Sequence, residues 1–114
     1  MKKLIMFVIA SLLVISATVS AHSPSGISME YDLTEKSVKV NVMHTSKDIT
    51  KHFVDEIILS VNGVKKISQE TTVQTDDKSQ QLIYVIPELK SGDKITVKAV
   101  CSKFGDLTKD LKVK

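Results

Sequence analysis

The chain has 114 residues, with 16 Lys+Arg (every one a lysine) against 13 Asp+Glu, and a single cysteine. That length supports one domain with one modest core, and a chain without arginine, tryptophan or a basic run lacks the footprint of nucleic-acid recognition. One cysteine also excludes the internal disulfide staples common in small exported domains.

Met1-Lys2-Lys3 opens with positive charge, Leu4 to Val14 is apolar apart from Ser11, and Thr18-Val19-Ser20-Ala21 closes with small residues. This is the order of a cleavable secretory signal, and the apolar stretch is shorter than the ~20 residues that span a bilayer. Val19 and Ala21 suit the small-residue positions before the cut. The expectation is a signal peptide over residues 1–21 and a single domain over residues 22–114. That domain begins at His22 and is extracytoplasmic, periplasmic or secreted, with no membrane attachment after cleavage. Lys2 and Lys3 leave with the leader, so the remaining charge is close to balance. Cys101 lies far from the cut, so no lipid anchor is indicated.

Beyond the leader the chain reads as short strands broken by turn signals. Gly26 to Asp32 alternates Ile27, Met29 and Tyr31; Ser37 to His44 alternates Val38, Val40 and Val42. Ser46 to His52 has room for one helical turn. Phe53 to Val61 carries Phe53, Ile57, Leu59 and Val61 on one face, and Asn62-Gly63 is a strong two-residue hairpin signal. The chain returns from Val64 to Thr75, passes the polar loop Asp76-Asp77-Lys78-Ser79, and forms a strand from Gln81 to Ile86 that Pro87 ends. Ser91-Gly92-Asp93 turns into Ile95 to Ser102, and Phe104-Gly105-Asp106 leads to a last strand, Leu107 to Val113. Seven strands at this spacing predict an all-β, immunoglobulin-like antiparallel β-sandwich.

Side chains alternate faces along a strand, and this places the chemistry-bearing residues. His44 continues the parity of Val38, Val40 and Val42, so it stands at a strand end facing the core. Cys101 continues Ile95, Val97 and Ala99 in the same way. The loop Thr45 to Lys51 lets His52 swing back beside His44, and His22 at the start of the domain can reach a rim. Neutral imidazole and thiolate are the usual ligands of zinc, copper and iron, although the spacing of His44 and His52 matches no standard chelate. No hydrolytic constellation stands out: Asp55 and Glu56 are adjacent on a strand and point to opposite faces, and Asp76-Asp77 reads as a solvated turn.

Three segments together resemble the superoxide reductase family, the iron domain of desulfoferrodoxin and neelaredoxin. His22-Ser-Pro-Ser-Gly-Ile27 is similar to the family's opening His-x-Pro-x-Ile. His44, then His52-Phe-Val-Asp-Glu-Ile-Ile-Leu59, resembles its second histidine and the His-Tyr-Ile-Glu-Trp-Ile-Glu-Leu that follows. Lys98-Ala-Val-Cys101-Ser-Lys-Phe104-Gly105 looks like its closing Tyr-Cys-Asn-x-His-Gly. The order agrees over the whole chain after the leader, and the family's fold is a seven-stranded sandwich. The resemblance implies iron held by equatorial imidazoles from His22, His44 and His52 and an axial thiolate from Cys101. It also implies that Lys51, just before a ligand histidine, attracts superoxide, and that the chain works as an oxidoreductase with a small redox partner.

The chain departs from that pattern where Phe104 replaces the fourth imidazole, where the His44 to His52 spacing is longer, and where Thr45 and Thr50 replace the family's proline and glutamate. Three imidazoles and a thiolate suit a four-coordinate site, and copper or zinc as well as iron. An α-amine exposed by cleavage before His22 would add a nitrogen donor, and Phe104 beside the site would limit solvent access. Two further readings stand beside this one. The first is a metal-free binding or carrier module acting through Cys101 or through sheet edges, which also offer a route to an oligomer. The second is a structural domain with an inert buried thiol. A cupredoxin is disfavoured, because neither His nor Met follows Cys101.

Overall fold

Val38, Val40 and Val42 alternate with Lys39, Asn41 and Met43, and branched side chains at every second position suit a strand buried on one face. The computed structural model describes residues 23–114, which contain seven strands. In chain order they are β1 (Gly26–Asp32), β2 (Ser37–Met43), β3 (Val54–Val61), β4 (Val64–Glu70), β5 (Ser79–Val85), β6 (Lys94–Cys101) and β7 (Asp106–Lys112). The leader expected over residues 1–21, and His22, lie outside the described residues.

The strands form a three-stranded sheet in the order β1-β2-β5 and a four-stranded sheet in the order β4-β3-β6-β7, antiparallel throughout. This is the expected immunoglobulin-like sandwich, with the fourth strand hydrogen-bonded to the third. Val38, Val40 and Val42 of one sheet meet Ile57, Leu59 and Val97 of the other, all buried. Each such side chain contributes about 1.5–3 kcal/mol on leaving water, a gain set against the conformational entropy of ordering the chain.

Two turns fix the end of the sandwich remote from His44. Asn62 and Gly63 both take positive φ, 52° and 82°, the geometry of a hairpin turn whose twist matches its strands. The Asn62 side chain then ties this hairpin to the turn before β6. Its Nδ2 donates to Asp93 Oδ1 at 2.9 Å, and its Oδ1 accepts from Lys94 N at 2.9 Å. With Lys90 N and Nζ also donating to Asp93, hydrogen bonds to the charged form hold that carboxyl down to about 2.

Three expectations need correction. The return strand stops at Glu70 rather than Thr75, because residues 71–78 leave the sheet to fold over the opposite end of the sandwich. Phe53 is not on the core face of β3. A bulge between Val54 and Glu56 inserts one extra residue against β6, so parity flips and Val54 takes the buried position opposite Cys101. The same bulge overturns the opposite-face reading of Asp55 and Glu56, which both line one shallow outer groove with Glu70. The Ser46 to His52 stretch does make a single turn, closed by the amides of Lys51 and His52 donating to Asp48 O at 3.1 and 2.9 Å.

Candidate metal centre

The site forms at the end of the sandwich where β2 finishes, β3 begins and β6 finishes. Strand parity turns His44 inward, 2 % exposed, and Cys101 inward, 5 % exposed. The turn at Asp48 brings the chain back, and His52 precedes Val54 by two residues, so it shares Val54's inward side once the bulge has reset the parity. Ser46 Oγ donates to His52 O and fastens the two ends of the connecting loop.

The result is a tight constellation. The rings of His44 and His52 meet edge to face with centroids 4.6 Å apart. His52 Nε2 lies 3.1 Å from Cys101 Sγ. One ligand atom from each of His44, His52 and Cys101 falls within 4.8 Å of the other two. Two imidazoles and a thiol at these separations can hold a metal ion, and their chemistry suits the borderline metals zinc, copper and iron.

Gln74 sets the orientation of His44, and nothing in the sequence pattern pointed to it. It lies in the segment that leaves the sheet after β4 and is 1 % exposed. Its Nε2 donates to the carbonyls of His44 at 2.7 Å and Asp76 at 2.9 Å. That fixes which side-chain atom is the oxygen, and the oxygen accepts from Val54 N at 3.2 Å and from His44 Nδ1 at 2.7 Å. The amide therefore requires a proton on Nδ1 and leaves Nε2 as the basic nitrogen of His44, the arrangement that outer partners impose on metal-ligating histidines. Gln80, also buried, anchors the same segment by donating to the carbonyls of Val54 and Val73 at 3.2 and 3.0 Å.

The turn after Cys101 carries the other sequence-derived positions. Lys103 N donates to Cys101 Sγ at 3.4 Å, and Cys101 N donates to Gly105 O at 3.0 Å. Phe104 is 61 % exposed, so its ring stands largely in solvent rather than closing the site. Gly105 has φ of 88°, and a Cβ there would collide with the Ser23 side chain and lie 3.1 Å from Ser23 Cα. The first described residue thus packs directly on the turn that holds the thiol. Lys51 is exposed and adjoins the constellation through His52.

A scan against protein-family models gives no match, and a search of the curated proteins gives none. What the fold and site define is an all-β sandwich with a two-histidine, one-cysteine cluster able to hold a metal ion, His44 and Cys101 buried and His52 half-buried.

Proposed function

We propose that the chain is an exported metal protein of the superoxide-reductase-like type, with iron as the expected metal and copper or zinc as alternatives at the same donors. The observation that carries this reading is the convergence of His44, His52 and Cys101 from three separate strand ends within 4.8 Å. The tautomer of His44 that Gln74 enforces adds to it. His22 is kept as a further ligand on the resemblance of its segment to the family's opening motif alone.

Bound iron would supply one-electron chemistry. The protein's own contribution is to hold two imidazoles and the Cys101 sulfur close together at one end of the sandwich, with Lys51 on the rim to attract an anion such as superoxide. With Phe104 in the fourth imidazole's place, the donors fall short of the family's full iron set. Binding is therefore the primary activity proposed, and superoxide reduction the secondary one.

Titration of the protein with Fe(II), Cu(II) and Zn(II) tests binding. Submicromolar affinity for at least one metal, lost in His44→Ala, is expected; affinity weaker than micromolar for all three would overturn the reading. Lys51→Ala should leave that affinity unchanged and slow any reaction with superoxide. N-terminal sequencing of exported protein should begin at His22. A sequence that begins elsewhere would remove the amine from the ligand set.

The metal-free carrier reading rests on the single thiol, Cys101, whose Sγ lies 3.1 Å from His52 Nε2. Alkylation distinguishes the two. A ligand thiol is shielded only while metal is bound, whereas a carrier thiol reacts at the same rate with or without metal.

A further inference from the structure

Among the described residues four strands lie at sheet edges: β1 and β5 in one sheet, β4 and β7 in the other. Edge strands expose unpaired backbone groups, and proteins ordinarily blunt them with charge. Three of the four follow that rule, with Glu30 and Asp32 on β1, Lys65, Lys66 and Glu70 on β4, and Asp106, Lys109, Asp110 and Lys112 on β7. The exception is β5, Ser-Gln-Gln-Leu-Ile-Tyr-Val, which carries no charge. On it Ile83 and Val85 are 66 % and 63 % exposed. On the same flank, Lys66 and Glu88 neutralise each other in an ion pair of 2.8 Å.

The hydrogen bonds of β5 show which backbone groups face outward. His44 N donates to Lys78 O and Ile86 N to Lys36 O, so the even-numbered residues from 78 to 86 face β2. The odd-numbered ones face the open edge, and Gln81 N confirms this by donating outward to Thr75 Oγ1 at 2.8 Å. That amide is thereby occupied, and Pro87 has no amide to offer. Ile83 and Val85 are left as a two-residue unit with both N–H and C=O facing outward, bounded on either side.

We propose that β5 pairs antiparallel with β5 of a second copy of this chain, about a two-fold axis at Tyr84, to give a continuous six-stranded sheet. The register follows from the open groups. Setting Ile83 opposite Val85 of the second copy, and Val85 opposite its Ile83, uses all four amides and carbonyls in two complete hydrogen-bonded pairs. Centring instead on Ile83 would set Val85 against the occupied amide of Gln81. Centring on Val85 would set Ile83 against Pro87. The axis at Tyr84 also packs two branched apolar pairs on the outer face. It further sets the two Tyr84 phenols side by side, each of whose hydroxyls is buried with no hydrogen-bond partner among the described residues of one chain. A neutral strand meeting its own copy meets no like charge, which favours self-pairing over a charged partner strand. This pairing is independent of the metal reading.

Sedimentation equilibrium of the reduced protein, with backbone amide exchange across the same concentration series, tests it. A dimer is expected in which the amides of Ile83 and Val85 become protected as concentration rises. Ile83→Lys with Val85→Lys should be a folded monomer by far-UV circular dichroism, whereas Val64→Lys, on the edge of the other sheet, should remain dimeric. Amide exchange of the unaltered protein decides the matter should the double variant fail to fold. A monomer at every concentration, a dimer that survives the double substitution, or a dimer whose Ile83 and Val85 amides stay unprotected would overturn the proposal.

Discussion

His44 and Gln74 hold each other by two hydrogen bonds running in opposite directions, His44 Nδ1 to Gln74 Oε1 and Gln74 Nε2 to His44 O, both 2.7 Å. One bond fixes the ring and its tautomer. The other fixes the backbone that carries the ring. The side chain doing both arrives from a segment 30 residues further along the chain.

Gln74→Leu keeps the approximate volume and removes every one of these bonds. Buried polar groups left unpaired cost about 1–3 kcal/mol each, so with four partners a loss of at least about 4 kcal/mol in denaturant unfolding is expected. Metal affinity should fall by about 10–100-fold, the usual effect of losing an outer partner. An unchanged affinity in a destabilised variant would show that Gln74 only packs the loop.

Two glycines separate backbone strain from contact at the site. Gly92 and Gly105 both have positive φ, 92° and 88°, but among the described residues a Cβ at Gly92 meets nothing within 4 Å, whereas at Gly105 it strikes Ser23. Gly92→Ala should therefore cost only the backbone term, about 1 kcal/mol, and leave metal binding intact. Gly105→Ala should cost about 1–3 kcal/mol more through overpacking. It should also weaken metal binding by moving the chain next to His22. Equal metal affinity in the two variants would argue against a ligand from that segment.

Asp93 predicts an acid limb of stability. Hydrogen bonds from Asn62 and Lys90 lower its carboxyl from 3.8 to about 2. As pH falls through that window the unfolded chain takes up the proton first, so stability present above the upper value is lost on the way to the lower one. Thermal unfolding of the unaltered protein between about pH 5 and pH 2 should show this loss, and Asp93→Asn should show less of it while being less stable at pH 5. Parallel curves for the two proteins would mean that the Asn62 and Lys90 contacts do not favour the charged form.

The parity rule carried a good part of the site. His44 and Cys101 each continue a run of buried residues at every second position, so their inward orientation was readable from one strand at a time. The return of His52 was readable from loop length. What the pattern could not show was the bulge at Val54 and Glu56, because a bulge is defined by two strands together and leaves no mark on the alternation of one. Gln74 was hidden for a related reason. A polar residue after a strand ordinarily faces water, and only the folding of residues 71–78 back over the sandwich end buries it against His44.

The metal centre itself is tested most directly at the thiol. The protein loaded with Fe(II) and oxidised, or loaded with Cu(II), should show a thiolate-to-metal charge-transfer band. Cys101→Ser should lose that band while the apo variant keeps the fold. A band that persists in Cys101→Ser, or loaded protein that shows none, would contradict a centre built on His44, His52 and Cys101.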